Sequence, residues 1–345
     1  MRIGIAMPVV PFVRGGSELL SATLAAELRT RGHQVDAITL PYKWYPPERL
    51  LLDSLAWRQF DFTEADGAPV DLLICTKFPS YLALHPNKVV WLYHQFRQAY
   101  DQFGARDGAL QFDDSGTATR DALVALDRLG LESCRRRFAI SRNVADRLQR
   151  YNDLTAQVLY PPPRGDRQFK PGPYGDYLLY VGRLDRMKRV ELLLEAAARM
   201  KQGRVILCGE GPERPQLAAR IAELGLSNRV NLAGFVPDET LYELYAGARA
   251  VYYAPVDEDY GFATVEAMRC AKPVLTCHDS GGVLEFVSDG ETGLIAAPEA
   301  DALAAAADRL FSDAALARRL GEAGRERVRP IAWGPVLDAL LEGAG

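Results

Sequence analysis

A chain of 345 residues is too long for one ordinary core and fits two domains of roughly 150 residues each. With 48% hydrophobic and 25% charged residues it has the make-up of a folded protein in water, which excludes the disordered and fibrous classes. A formal net charge of -4 offers nucleic acid no general attraction, so no nucleic-acid partner is expected.

The five cysteines, Cys75, Cys134, Cys208, Cys270 and Cys277, are odd in number and widely spaced, and several lie in apolar runs such as LLIC and VILC. That usage predicts buried, reduced thiols in a cytosolic protein. No CxxC pair occurs and the four histidines have no ligand spacing, so no Cys or His metal site is expected. The opening run RIGIAMPVV reads as a strand and lacks the order of a secretion signal, and no run approaches the roughly 20 apolar residues of a membrane span. A cytoplasmic location is expected.

Short apolar runs alternate with helical patterns from end to end, which predicts an α/β protein with parallel sheets. In the first half, strands are predicted near Arg2–Val10, Val35–Leu40, Asp71–Thr76, Val89–Tyr93, Arg137–Ile140 and Gln157–Tyr160. Between the first two, Leu19, Leu20, Leu24 and Leu28 recur at helical spacing until Gly32 stops the helix. The stretch Tyr160 to Tyr177 concentrates proline, glycine and charge and reads as a connector. Beyond it the alternation restarts: strand YLLYVG, helix from about Met187, strand RVILCG, helix from about Glu213, strand NLAG, helix PDETLYELYAG, strand AVYYAP, helix from Phe262 and strand PVLT. Two Ala- and Arg-rich helices follow Pro298. The expected domains are 1–162 and 177–328, joined by 163–176, with 329–345 packing back on the first. Arg135–Arg137 with Arg142, Arg147 and Arg150 form a basic cluster, read either as a solvated helix face or as a patch for anionic lipid or a charged acceptor.

Doubly wound sheets place ligands at the carboxyl ends of their strands, so the strand-to-helix turns carry the candidates. In PVVPFVRGGSE, Gly15 and Gly16 precede a helix whose amides could meet an anion. In YVGRLDRMKR, Arg183 and Lys188 put two cations at the mouth of one strand, the charge a diphosphate requires, and CGEGPER adds Gly209 and Gly211 nearby. In APVDEDYGFATVEAMR, Glu258 lies after a strand, Gly261 permits a tight turn, and Glu266 falls on the second turn of the next helix. The two carboxylates can then accept from adjacent hydroxyls while helix amides between them hold phosphate.

The segments VGRLDRMKR, LCGEGPER, the Glu258–Glu266 pair and SGGVLEFVSDGETGLIA, in this order, resemble the retaining glycosyltransferases of family 4, which have the GT-B fold. The resemblance is fullest from about Tyr177 to Ala297 and extends to Gly15, Gly16 and FAISRNVADRL in the first half. It implies two facing Rossmann-like domains with a cleft between them. It implies that Arg183 and Lys188 bind the donor diphosphate and stabilise it as it leaves, that Glu258 holds sugar hydroxyls, and that Glu266 holds the ribose. The amides of Gly261, Phe262 and Ala263 would complete the phosphate and sugar contacts, Phe235 and Val236 would lie against the base, and Gly16 would reach the phosphates. His94, after a strand in VVWLYHQFRQAYD, would lie near the donor sugar.

Two features of the sequence qualify this. Tyr260 stands where the family more often has a small or apolar residue before the glycine, and Asp257-Glu258-Asp259 matches the DxD metal pattern of a different glycosyltransferase fold. Because cations and helix amides do the metal's work in GT-B enzymes, neither a metal nor another cofactor is expected. The implied reaction moves a hexose-type sugar from a UDP- or GDP-sugar to a hydroxyl acceptor with retention, in polysaccharide or glycolipid assembly or on a small molecule, with peripheral contact at the inner face of the membrane for a lipid-linked acceptor. A sugar-nucleotide epimerase or hydrolase, and a donor-binding subunit without catalysis, are the alternatives.

Overall fold

The computed structural model describes residues 1–12, 15–105, 108 and 110–344. The chain divides into two compact units, Met1–Arg164 with Ala332–Gly345, and Gly165–Ile331.

Unit 1 runs β1 (Arg2–Val9), α1 (Gly16–Thr30), β2 (Gln34–Pro41), α2 (Glu48–Gln59), a small hairpin of β3 (Glu64–Ala65) and β4 (Ala68–Pro69), β5 (Leu72–Cys75), β6 (Lys88–Leu92), α3 (Asp114–Glu132), β7 (Arg136–Ala139), α4 (Arg142–Asn152) and β8 (Gln157–Val158). Six of these strands form one parallel sheet in the order β2-β1-β5-β6-β7-β8. The two central strands β5 and β6 are buried along their whole length, as strands covered on both faces must be. That burial includes Lys88, whose Nζ donates to the carbonyls of Tyr81 at 2.7 Å and Ala83 at 2.8 Å and to Ser133 Oγ at 2.8 Å, so the ammonium is fully solvated by protein oxygens. Helix starts follow capping chemistry: Asp113 accepts from the Gly116 amide at 2.6 Å to begin α3, and Ser141 from the Val144 amide at 3.0 Å to begin α4.

Unit 2 runs β9 (Tyr177–Val181), α5 (Val190–Arg199), β10 (Arg204–Cys208), α6 (Arg214–Glu223), β11 (Val230–Gly234), α7 (Asp238–Gly247), β12 (Ala250–Tyr252), α8 (Phe262–Arg269), β13 (Val274–Cys277), β14 (Gly293–Ala296), α9 (Ala300–Ser312) and α10 (Ala314–Val328). Its sheet is also parallel, in the order β11-β10-β9-β12-β13-β14. The strand order reverses between β9 and β12, and it is at the carboxyl side of such a switch point that doubly wound sheets bind ligands. The last helix, α11 (Trp333–Leu341), belongs to unit 1. Its Trp333 ring lies edge-on to Trp91 at 6.1 Å, and Arg31 reaches the Gly334 carbonyl at 3.0 Å.

The sequence reading placed the strands within one or two residues at most ends but did not delineate α2, α3 or β14. It also grouped arginines that the fold separates. Arg135 donates to Asn87 at 2.6 Å, Arg136 pairs with Glu342, Arg137 donates to the carbonyls of Thr155 and Leu131, and Arg147 is buried beside Asp101 at 3.6 Å. These four side chains tie parts of unit 1 together, while Arg142 and Arg150 stay exposed on α4.

Candidate functional site

The switch point of unit 2 is built by the turns after β9 and β12. After β9 the chain passes Gly182, Arg183 and Asp185 into a single tight turn, Arg186–Lys188, before α5 begins. Glycine is needed where β9 and β10 end. Gly209 has φ +139°, and a Cβ there would stand 1.9 Å from the Gly182 carbonyl oxygen.

Lys188 reaches from its turn to Glu258, in the loop after β12, and the two form an ion pair. The hydroxyl of Tyr253 joins them, donating to Glu258 Oε2 at 2.9 Å and lying 3.4 Å from Lys188 Nζ. Burial pushes the Glu258 carboxyl up, but the charge and hydrogen bond of Lys188 and the hydroxyl of Tyr253 outweigh it and hold the group below its ordinary range. Burial works against the Lys188 ammonium too, and Glu258 again reverses the sign. The pair is ionised on both sides. Two charges gathered in a partly enclosed turn, one a cation that a phosphate could take over, suit an anionic ligand bearing hydroxyls.

The loop carrying Glu258 is fixed from behind. Gly282 donates its amide to the Glu258 carbonyl at 2.7 Å, and a Cβ on Gly281, whose φ is +61°, would meet the Glu258 backbone at 2.7 Å. Arg189 grips Asp279 through two hydrogen bonds of 2.7 and 2.9 Å and donates to the carbonyls of Ala254 and Pro255, tying the turn after β9 to those after β12 and β13. Gly261 then starts α8 with φ +84°, and a Cβ there would press on Val283 at 2.9 Å and Tyr253 at 3.1 Å. The N-cap residue Gly261 brings no capping side chain of its own, so the amides of Phe262 and Ala263 have no partner within the helix and carry its positive end. The buried Thr264 Oγ1 in the same turn has no hydrogen-bond partner.

Of the other sequence candidates in unit 2, Glu266 accepts from the buried Tyr245 hydroxyl at 2.6 Å, which orients its carboxylate. Burial and the charge of Glu258 raise the Tyr253 hydroxyl, and Glu266 adds to that rise, so both carboxylates act on one tyrosine. Arg183 is largely exposed and faces Asp185 at 3.9 Å. Phe235 is 80% exposed just past β11, with Val236 half-buried beside it. Tyr260 turns inward, its ring 5.0 Å from Phe262 and 5.5 Å from Phe286, so it fills the core. Among the described residues no group of three or more His, Cys, Asp or Glu is placed to hold a metal ion.

In unit 1, Gly15 begins α1 with ordinary extended backbone and its amide donates to Glu18 Oε2 at 2.9 Å, while Glu18 also pairs with Lys77 at 2.7 Å. Gly16 is the first residue of α1. His94 follows β6, and its Nδ1 lies 2.9 Å from the Gln95 carbonyl oxygen. Sequence reasoning missed Tyr253, Arg189 and Asp279. The local signal of the first is its place in AVYYAP, a hydroxyl-bearing residue just past the carboxyl end of a strand.

Residues 166–327 match the family described as glycosyl transferases group 1. Among curated relatives, alpha-D-kanosaminyltransferase of Streptomyces kanamyceticus is 35% identical over 150 residues, covering 42% of this chain and 39% of that protein. Alpha-maltose-1-phosphate synthase of Mycolicibacterium smegmatis is 29% identical over 211 residues, covering 55% and 54%. These matches thus span about half or less of the relatives' own length. Among solved structures, sucrose-phosphate synthase from Thermosynechococcus elongatus superposes with a TM-score of 0.78 at 24% identity, over 97% of this chain and 96% of that one. Anabaena HepE, in complex with UDP and glucose, does so with a TM-score of 0.70 at 18% identity, over 99% of both chains. The group 1 match falls within unit 2, and the superpositions show that the chain has the GT-B fold of two Rossmann-like domains.

Proposed function

We propose that the protein transfers a hexose-type sugar from a UDP- or GDP-sugar to a hydroxyl acceptor with retention of configuration. The observation that carries this reading is the Lys188–Glu258–Tyr253 cluster at the switch point of unit 2, beside the uncapped start of α8. A diphosphate arriving there draws Lys188 away from Glu258, which frees that carboxylate to accept from sugar hydroxyls. Arg183 adds a second cation, and the amides of Gly261, Phe262 and Ala263 supply donors that need no reorganisation as charge builds on the leaving diphosphate. Glu266, oriented by Tyr245, accepts from the ribose hydroxyls, and exposed Phe235 with Val236 covers the base. From unit 1, Gly15 and Gly16 are assigned to the phosphates and His94 to the donor sugar. The acceptor attacks the face that the diphosphate leaves, and a phosphate oxygen takes its proton. Polysaccharide or glycolipid assembly is the setting we favour, in the cytoplasm or against the membrane's inner face; the relatives' names also include a kanosaminyl transferase and a sugar-phosphate synthase.

The test is release of nucleoside diphosphate from a panel of UDP- and GDP-sugars, with chelator present and with and without candidate acceptors, beside Glu266→Ala. Turnover in chelator that Glu266→Ala abolishes is the expected result. Turnover that needs a divalent metal, or that Glu266→Ala leaves intact, would overturn the assignment.

A further inference from the structure

His94 is held by its own neighbour. A carbonyl oxygen only accepts, so the 2.9 Å contact with the Gln95 carbonyl requires the proton on Nδ1 and leaves Nε2 as the acceptor. The position of that carbonyl is set in turn by the Gln95 side chain, which points into the interior and is fully buried. Its Nε2 donates to Asn152 Oδ1 at the end of α4. Asn152 Nδ2 donates to the Tyr100 hydroxyl at 3.0 Å, and that hydroxyl donates to Asp127 Oδ2 on α3 at 2.5 Å. Tyr81 anchors the far oxygen of Asp127 at 2.8 Å. Five buried polar side chains therefore form one line from the middle of α3 to the residue after His94, and they pin both ends of the turn His94–Tyr100.

A core pays for such a line only with complete geometry, since each group left unpaired costs on the order of 1–3 kcal/mol. One atom is in fact left over. Gln95 Oε1 is buried without a hydrogen-bond partner, although swapping the amide for an apolar side chain of the same size would remove that penalty. The amide is thus poorly explained by packing and well explained by what its other end does. We propose that Gln95, Asn152, Tyr100 and Asp127 are positioning residues that fix the ring orientation and the Nδ1–H tautomer of His94. The consequence for turnover rests on the assignment of His94 to the donor sugar; the tautomer itself does not.

The experiment uses the full chain labelled with 15N-histidine, reading ring nitrogens in mildly alkaline buffer, with His94→Gln to assign its signals and His85 as an internal control. The variants are Gln95→Met, Asn152→Leu and Tyr100→Phe, the last deleting one hydroxyl and keeping the ring, so that a folded variant is available if Asn152→Leu fails to fold. The expected result is an Nδ1–H His94 in the parent and a shift toward Nε2–H in the variants, the His85 signals unchanged. With it, kcat falls about tenfold while the donor KM stays within about twofold. Folded variants that keep His94 in the Nδ1–H form would overturn the proposal. A tautomer shift with no change in turnover supports the positioning line and sinks the role of His94 at the donor sugar instead.

Discussion

Each unit puts a lysine and a glutamate together at the switch point of its sheet, and the two pairs are used differently. In unit 1, Glu18 bonds back to the Gly15 amide and to Lys77, so the carboxylate already occupies the start of α1. In unit 2, Glu258 sits before the helix and pairs with Lys188, and the start of α8 has no side-chain cap. A helix start left open can meet a phosphate directly, whereas at α1 Glu18 must first leave the Gly15 amide. A second contrast concerns buried carboxylates. Lys188 keeps Glu258 below the ordinary range against burial, but Asp127 in unit 1 accepts from the hydroxyls of Tyr81 and Tyr100 and has no cation beside it among the described residues, and burial pushes it up to about 7.

The first contrast breaks most sharply on the lysines. Lys188→Met should lower turnover about a thousandfold, through lost diphosphate stabilisation and a Glu258 left without its cation, while Lys77→Met should cost less than about tenfold. Steady-state kinetics of both variants decides it, and equal losses would erase the distinction between the units. The second contrast is tested by Asp127→Asn. The folded pKa of Asp127 is raised, so its ionisation costs stability above its ordinary value of 3.8, with the penalty complete once the pH exceeds about 7. Urea unfolding should therefore show Asp127→Asn gaining on the parent as the pH rises from about 4 to about 8, by up to about 4 kcal/mol. A gain independent of pH would contradict this.

Gly261→Ala sharpens the account of the α8 start. A positive φ and a Cβ pressed on Val283 and Tyr253 should cost about 2 kcal/mol in thermal unfolding and raise the donor KM. The smallest effect belongs to Tyr253→Phe, which deletes one hydrogen bond to Glu258 and keeps the ring. A loss of about tenfold in kcat/KM is expected, with little change in melting temperature.

The residues that the sequence exposed and those it hid differ in one physical respect. Lys188, Glu258 and Gly261 lie in strand-to-helix turns, where glycine and charge interrupt an apolar pattern, and Glu266 lies one turn into the helix that follows, so local order brings them into view. Arg189 and Asp279 meet across 90 positions, and Gln95 and Asn152 across 57. No local pattern encodes such pairs, because each partner taken alone is an ordinary polar residue. Helix α2 escaped because ERLLLDSLAWRQ turns Leu50, Ser54 and Trp57 inward while leaving Leu52 and Leu55 exposed, which blurs the helical period. The arginine cluster divides for the opposite reason. Proximity in sequence suggested one face, whereas Arg135, Arg136, Arg137 and Arg147 turn to partners within unit 1, and Arg142 and Arg150 stay exposed on α4.

The central claim is that the open helix start and the Lys188–Glu258 pair of unit 2 hold a nucleoside diphosphate. Calorimetric titration of the full chain with UDP and GDP, beside Lys188→Met and Lys77→Met, tests it most directly. The account predicts that one of the two nucleotides binds, that Lys188→Met weakens it at least tenfold, and that Lys77→Met leaves it within about twofold. Undiminished binding by Lys188→Met, or a loss confined to Lys77→Met, would contradict it.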